Sequence, residues 1–154
     1  MVFNTDPIDK PGQHWIALYA PDVDTKRIEI MDSYGSQNLK IYQDPLLREL
    51  INMTDVVKMP QLQSYSTYVC GHYCLAYLYT RTRGRSFSQF VKPFAAARNK
   101  KDNDKKVCQF VCQVMIPKSL RPKFNSKIGP LGQPCQGNCC RKNVNVKAIK
   151  TTFE

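Results

Sequence analysis

The first third of the chain alternates apolar and polar positions in a way that predicts a β-hairpin. Residues 14–20 (HWIALYA) and 27–32 (RIEIMD) read as two strands, and the residues between them include the turn formers Pro, Asp and Thr. In a hairpin symmetric about Val23, partner residues have numbers that add to 46, so His14 directly opposes Asp32. Directly opposed side chains have Cβ atoms about 5 Å apart. We therefore expect a hydrogen bond between this imidazole and this carboxylate.

Helical signals follow the hairpin. Asp44-Pro45 precedes a leucine-rich stretch, which predicts a capped helix with proline at its first position and a role in packing only. A second helix is predicted for residues 87–97, with Ser86 as its cap. Between them, residues 56–59 (VVKM) predict a short buried strand.

Residues 68–80 (YVCGHYCLAYLYT) are mostly apolar and long enough for a core helix. Ser66 or Thr67 can serve as its N-cap, and Gly84 lies beyond its end. Cys70 is therefore expected in the first turn of a buried helix, reached through a polar loop.

The net charge of +11 is concentrated at one end of the chain. Residues 1–97 carry 10 basic and 9 acidic side chains, whereas residues 98–154 carry 13 and 3. We expect residues 1–97 to form the main domain, residues 98–116 to be a charged hinge with one further strand or helix, and residues 117–154 to be a poorly ordered tail. Such basicity suits contact with a polyanion, or a solvated tail without a partner.

The apolar runs, the first residues and the cysteine count indicate the cellular compartment. No apolar run approaches the 18 or more residues of a membrane span, and residues 1–13 have neither the basic start nor the apolar stretch of a secretory signal. The cysteine count is seven, and an odd number without a signal argues against a complete disulfide framework. We expect an intracellular protein, in the nucleus or cytoplasm, without membrane association and with some free thiols.

Four residues together suggest nucleophilic catalysis. A thiol at a helix N-terminus is favoured as the thiolate, which places Cys70 well for attack. The hairpin offers His14 as the base and Asp32 as the carboxylate that orients it. Gln63, on the loop leading to the helix, and the backbone amide of Cys70 can supply donors to a developing oxyanion.

The order of these motifs resembles that of the adenovirus-type cysteine endopeptidases (adenains), including relatives carried by virus-like transposons. The matching motifs are His14-Trp15, Asp32-Ser-Tyr-Gly35, Gln63 with six residues before Cys70, and Cys70-Gly-His-Tyr-Cys74, within residues 1–97. The ubiquitin-like-protein (SUMO) proteases share the order. They typically have five residues between Gln and Cys, and Asp before the Cys, where this chain has six residues and Val69.

The resemblance implies an α+β fold of the papain-like superfamily, with a central mixed sheet flanked by helices. It implies peptide-bond hydrolysis with His14 as general base and acid, Asp32 as its orienter, Gln63 as an oxyanion donor and Cys70 as nucleophile. Family members cut viral precursors, often after Gly-Gly or Gly-X-Gly, so that a virion location is also implied. No metal or protein-bound cofactor is expected, although viral DNA serves the family as an activating polyanion.

Two features depart from the family pattern. The family has roughly forty more residues before its catalytic histidine, so this catalytic core is expected to be N-terminally short. Family activation by a disulfide-linked peptide uses a cysteine about a dozen residues before the oxyanion glutamine, where this chain has Asn52 and Met53. That activation is therefore not expected here.

Five alternatives remain open. The chain can be a processing protease for ubiquitin-like proteins, or a protease fold that no longer cleaves. Its basic residues 98–127 can bind DNA or RNA without sequence preference, or act in part as a nuclear-targeting signal. Finally, zinc can bind to thiolates of the second half of the chain, which are Cys108, Cys112, Cys135, Cys139 and Cys140.

Overall fold

The described part of the chain folds as an α+β protein with a small antiparallel sheet and four helices. The computed structural model describes residues 1–6, 14–21, 27–35, 44–53, 59–117 and 119. The strands are β1 (Val2–Asn4), β2 (Trp15–Tyr19) and β3 (Glu29–Met31). The helices are α1 (Pro45–Met53), α2 (Cys70–Arg81), α3 (Phe87–Ala95) and α4 (Lys100–Phe110), which continues as a π-helical segment, Val111–Met115. None of the described helices is long and apolar enough to cross a bilayer.

The sheet order is β1-β2-β3, and both pairings are antiparallel. The expectation of a mixed sheet is therefore wrong for the described residues. Strand β1 was not expected at all, because three residues are too few to show an alternating pattern. Its pairing places β2 in the centre of the sheet, so β2 has a hydrogen-bonded neighbour on each side.

The predicted hairpin forms, but its register differs from the expected one. Ala17 pairs with Met31 and Leu18 pairs with Ile30, so that the numbers of each pair add to 48 rather than 46. Each residue of β2 is therefore paired two positions away from its expected partner. Because side chains alternate with period two, such a shift keeps every residue on its predicted face.

Helices pack on both faces of the sheet, and the alternation along the strands decides which residues face which helix. Ile16, Leu18 and Ile30 form one buried cluster with Leu47 of α1. Ala17 and its partner on β3 face the opposite way, into a larger cluster built around α2. The expectation of a sheet flanked by helices is thus met by the described elements.

The larger cluster joins α2, α3 and α4 into one core. Its large, completely buried side chains come from all three helices: Tyr73, Tyr77, Phe90, Phe94, Val107 and Phe110. Residues 98–106, the charge run that was expected to be a hinge, are mostly helical, because α4 begins at Lys100. The same helix continues into the core. Residues 107–116, for which strand and helix were both open, are helical as far as Met115.

Local capping signals fix two of the helix starts. The Asp44 carboxylate accepts a hydrogen bond from the Leu47 amide at 2.8 Å, as the sequence predicted. Ser86 begins α3 in a reciprocal capping box with Gln89. Helix α3 ends at Ala95, two residues before the predicted end.

The start of α2 differs from its prediction. The N-cap residue is Val69, and no side chain caps the helix. Neither Ser66 nor Thr67 has that role, because the Thr67 hydroxyl donates to the Asp104 carboxylate at 2.8 Å instead. A long-range hydrogen bond has replaced the local one. At the other end, Gly84 has a φ of 77° in the turn that follows the helix, as expected of a glycine there.

Some predictions fall on residues outside the described part. Residues 56–58 of the predicted short strand are among these, and Met59 is buried but lies in no strand. The tail 117–154 lies almost wholly outside the described residues. Its expected poor order and the division of the chain at residue 97 stay predictions.

A buried ion pair ties the sheet to α2. Arg81 Nε and Nη2 donate to the two carboxylate oxygens of Glu29 at 2.7 and 3.1 Å, and the Tyr77 hydroxyl donates to the same carboxylate at 2.6 Å. The guanidinium also lies over the ring of Tyr19, 4.5 Å from its centroid. Each charge in this group therefore has a partner, which burial requires.

We expect Arg81→Ala to lower the free energy of unfolding by about 3 kcal/mol, because removal of one partner leaves the Glu29 carboxylate buried and uncompensated. Urea denaturation measures this loss. The control is Arg48→Ala on the exposed side of α1, which should change stability by less than about 0.5 kcal/mol. Equal effects of the two variants would show that the ion pair contributes nothing specific.

Candidate functional site

The imidazole of His14 and the carboxylate of Asp32 form a short hydrogen bond. His14 Nε2 lies 2.7 Å from Asp32 Oδ1, and the two residues are 6% and 0% exposed. The predicted contact therefore exists, although the two residues are not directly opposed. When the observed register is extended past the strand ends, the residue opposite His14 is Tyr34, and Asp32 reaches the imidazole diagonally across the hairpin.

The environment of His14 favours its protonated form. Burial lowers the pKa of the imidazole, but the hydrogen bond to Asp32 and the electrostatic interactions with Asp32 and Cys70 outweigh burial and raise the pKa to about 9. An ionised carboxylate only accepts hydrogen bonds, so Nε2 carries the hydrogen toward Asp32. The other ring nitrogen, Nδ1, is then the one that can exchange a proton with the thiol.

The turn at residues 32–35 gives Asp32 a second task. Oδ1 also accepts a hydrogen bond from the Tyr34 amide at 2.8 Å, and the Gly35 amide donates to the Asp32 carbonyl at 2.9 Å. Gly35 has a φ of 97°, which a residue with a side chain adopts only at a cost. The same carboxylate therefore shapes the turn and orients the imidazole.

The next residue of the turn holds Gln63. The Ser33 carbonyl accepts hydrogen bonds from the amides of Leu62 and Gln63, both at 2.9 Å. The Ser33 hydroxyl donates to Gln63 Oε1 at 2.6 Å. Backbone and side chain of Gln63 are thus both fixed by one residue, the immediate neighbour of Asp32.

Tyr34, the third residue of this turn, also contacts the site. Its ring stacks on the imidazole of His14, with centroids 4.6 Å apart, and on the exposed ring of Tyr65 at 5.1 Å. Its hydroxyl donates to the Thr67 carbonyl at 3.3 Å. Burial, followed by the charges of nearby acidic groups, raises the pKa of Tyr34 to about 12, so the hydroxyl stays protonated at neutral pH. From the sequence, Tyr34 had no function beyond its place in a motif.

Gln63 is completely buried, and its carboxamide is engaged within the protein. Nε2 donates to the Thr67 carbonyl at 2.7 Å and lies 3.4 Å from both the Tyr34 hydroxyl and the Thr67 hydroxyl. The oxygen accepts from Ser33, as described above. The amide group is therefore oriented by contacts at both of its ends.

Cys70 lies in the first turn of α2, as predicted, although the helix begins at Cys70 itself and not at residue 68. It is 3% exposed. A Cβ built on the next residue, Gly71, would meet no atom within 4 Å, so there is open space beside this glycine. One helical turn further on, burial and the charges of Cys70 and Asp32 raise the pKa of Cys74 well above its ordinary value. Cys74 is therefore a neutral core thiol.

Asp104 of α4 was not expected to have a role of its own, because it lies in the run that was expected to be a charged hinge. It is 4% exposed and accepts three hydrogen bonds from the segment that runs through Gln63 into α2. Burial raises the pKa of this carboxyl, and the hydrogen bonds it accepts oppose that shift. The sequence did contain a pattern that indicates burial of Asp104. It lies three and four positions before Val107 and Cys108, so the three residues share one side of a helix.

No group of side chains in the described part of the chain is arranged to bind a metal ion. Cys108 and Cys112 lie in the core as thiols and not in disulfides. The cysteines at 135, 139 and 140 lie outside the described residues.

Comparison with known proteins gives no relative. The chain matches no protein-family model, and neither the curated proteins nor the solved structures contain a significant match.

The His14 environment makes a testable prediction. In an NMR titration the imidazole signals should have their midpoint near pH 9, and Asp32→Asn should lower it by about 1–3 units, because burial then acts with less opposition. His72 is the other histidine of the chain, so His72→Gln assigns the signals. A midpoint that does not move in Asp32→Asn would contradict this account.

The raised pKa of His14 also makes the free energy of unfolding depend on pH. Because the pKa in the folded state is raised from 6.5 to about 9, the stabilisation is complete below pH 6.5 and is lost as the pH rises to about 9. Urea denaturation of the wild type should follow this direction, and His14→Gln should flatten the slope over this window.

Proposed function

We propose that the chain is a cysteine endopeptidase that hydrolyses peptide bonds in viral or virus-like precursor proteins. The observation that supports it best is the buried arrangement of His14, hydrogen-bonded to Asp32, beside Cys70 at the start of a helix. A buried ionisable group with a perturbed pKa beside a nucleophilic side chain is characteristic of catalytic sites. The likeness to the adenain motif order agrees with this chemistry.

In the proposed reaction, protonated His14 stabilises the Cys70 thiolate, and the sulfur attacks the carbonyl carbon of the substrate. A carbon–sulfur bond forms while the carbonyl oxygen takes up the electron pair. The imidazolium then gives its proton to the leaving amine nitrogen, the peptide bond breaks, and an acyl-enzyme remains. Water, deprotonated by His14, attacks the acyl carbon, and the carbon–sulfur bond breaks. The acid is released, and the Cys70 thiolate and protonated His14 are restored. Asp32 keeps the imidazole in orientation throughout.

The oxyanion would be stabilised by the backbone amide of Cys70 and by Gln63. The amides in the first turn of a helix have no partner within the helix, which leaves the Cys70 amide suited to this role. The Gln63 carboxamide has two N–H groups, and its short bond to Thr67 uses one. Its two contacts at 3.4 Å are at the outer limit of hydrogen bonding, so the second N–H is only weakly engaged and is available to a substrate oxygen.

The substrate class rests on the resemblance alone. It implies cleavage after small residues such as Gly-Gly or Gly-X-Gly, and the open space beside Gly71 is compatible with close approach of an extended chain. A protease for ubiquitin-like proteins would use the same residues. Parallel digestion of a Gly-Gly-X peptide and of a ubiquitin-like precursor distinguishes the two substrate classes.

The nucleophile is tested by substitution. Cys70→Ala and His14→Ala should each abolish peptidase activity, because neither the thiol nor the base forms the acyl-enzyme alone. Cys74→Ala is the matched control, and its activity should stay close to that of the wild type. Asp32→Asn should be milder than His14→Ala. Equal loss in Cys74→Ala would refute the choice of nucleophile.

A peptide vinyl sulfone provides the independent readout. An adduct on Cys70 in folded protein, absent from Cys70→Ala, would support the proposal. Reaction of Cys70 only after denaturation would instead favour the alternative of a protease fold that no longer cleaves.

Gln63→Ala should lower kcat by about 10² with little change in KM, since an oxyanion donor acts mainly on the transition state. Steady-state kinetics on the same peptide measures both constants. Unaltered turnover would remove Gln63 from the site.

A second activity, binding of DNA or RNA without sequence preference, is favoured by one surface. Arg98, Lys101 and Lys105 are exposed beside or on α4, and the basic tail follows this helix. Residues 98–127 were the predicted contact, with DNA as an activating polyanion. Only part of that range is described, so the helix carries the structural argument.

For this surface we expect the logarithm of affinity for random-sequence duplex to fall linearly with the logarithm of salt concentration. Replacement of Lys101 and Lys105 by Gln should reduce the slope by about 0.9 for each phosphate that is no longer neutralised. Arg48→Gln, on the other side of the sheet, is the control and should leave the slope unchanged. Shortening the chain to residue 97 is unsuitable, because α4 supplies core residues. An affinity for duplex that does not change with salt concentration would contradict this activity.

A further inference from the structure

We propose that Asp104 is a positioning residue for the reaction, and that it holds the Gln63 carboxamide in place through Thr67. This inference rests on the proposed function for its kinetic consequence. If Asp104 has this role, α4 contributes to the catalytic site. From the sequence, residues 1–97 were expected to contain the whole catalytic core.

The carboxylate of Asp104 collects three donors from one short stretch of chain. Oδ2 accepts from the Thr67 hydroxyl at 2.8 Å and from the Ser64 amide at 3.2 Å, and Oδ1 accepts from the Tyr73 hydroxyl at 3.0 Å. Ser64 and Thr67 both lie in the short loop between Gln63 and α2, and Tyr73 lies in the first turns of α2. One buried group thus ties the loop to the helix that begins at Cys70.

The neighbouring residue of α4 reinforces this attachment. Asn103 Nδ2 donates to the Leu62 carbonyl at 3.1 Å and to the Phe94 carbonyl at 3.2 Å, and Asn103 is completely buried. Helix α4 therefore contacts the loop both before and after Gln63. The loop is thereby fixed against α4 on one side and, through the Ser33 contacts, against the strand end on the other.

The path from Asp104 to the reacting groups has two steps. Asp104 fixes the Thr67 hydroxyl, and the Thr67 carbonyl accepts the shortest hydrogen bond of Gln63 Nε2, at 2.7 Å. A change in the Thr67 backbone would therefore redirect the carboxamide. Preorganised donors stabilise an oxyanion only when they already point to its position. Loss of the Asp104 contact should consequently slow the chemical step and spare substrate binding.

Thr67→Val tests this path with little change in shape, because it replaces only the hydroxyl. We expect kcat to fall about tenfold with KM nearly unchanged, and Thr67→Ser to restore the wild-type rate. The urea midpoint should fall modestly, because the buried Asp104 carboxylate loses one of its three donors. Asp104→Asn, which replaces one acceptor oxygen by a donor, should act in the same direction. Asp102→Asn, on the exposed side of α4, is the matched control and should have no effect.

A double-mutant cycle separates positioning from general damage. In a Gln63→Ala background, Thr67→Val should lower kcat by no more than about twofold, because its effect passes through Gln63. Alkylation of Cys70 by iodoacetamide needs the thiolate but no oxyanion donor, so its rate should be unchanged in Thr67→Val. Additive losses in the cycle, or slower alkylation, would overturn the proposal.

A structural readout keeps this proposal distinct from the peptidase proposal. In ¹⁵N-labelled protein, the side-chain amide signals of Gln63 should shift or broaden in both Thr67→Val and Asp104→Asn and stay in place in Asp102→Asn. Unchanged Gln63 signals in the first two variants would overturn the positioning role. A further outcome is that the signals of Gln63 shift in these variants although the wild-type protein cleaves no peptide. That result would support the positioning of Gln63 by Asp104 and Thr67, and it would contradict only the peptidase proposal.

Discussion

The structure depends on the placement of two tyrosine hydroxyls in an apolar core. Tyr73 and Tyr77 of α2 are completely buried, and a buried hydroxyl without a partner costs about 1–3 kcal/mol. Each donates to a carboxylate from a different part of the fold, Asp104 of α4 and Glu29 of β3. Helix α2 is thereby fixed between the sheet and α4, and Cys70 at its first residue takes a defined position beside the strand end that carries His14.

Burial of charge at this junction gives the site its electrostatic character. Asp32 is completely buried and His14 nearly so, and in such surroundings a charge persists only with a partner. The result is an imidazole that keeps its proton to about pH 9. The turn at residues 32–35 concentrates the necessary contacts, because its consecutive side chains contact His14 and Gln63. A small sheet can position such a site because the turn leaves β3 directly beside the loop that leads to α2.

The role of α4 shows where an interpretation based on charge fails. The run from Arg98 to Lys106 has the composition of a solvated linker, yet Asn103 and Asp104 are buried and continue the apolar side formed by Val107. Composition averages over the sides of a helix, whereas burial is decided residue by residue through the helical repeat. The buried carboxylate is also the residue that couples this helix to the proposed oxyanion donor.

Features that depend on neighbouring residues could be predicted from the chain before any fold was known. The caps at Asp44 and Ser86 and the helices that follow them are local in this sense. The order of candidate catalytic residues was also readable, although their roles stay proposals. The hairpin register, the pairing of β1 and the diversion of Thr67 from a cap to Asp104 became defined only in the folded protein. Each of these depends on groups distant in sequence, whose competition for the same hydrogen bonds is settled only when the core has assembled.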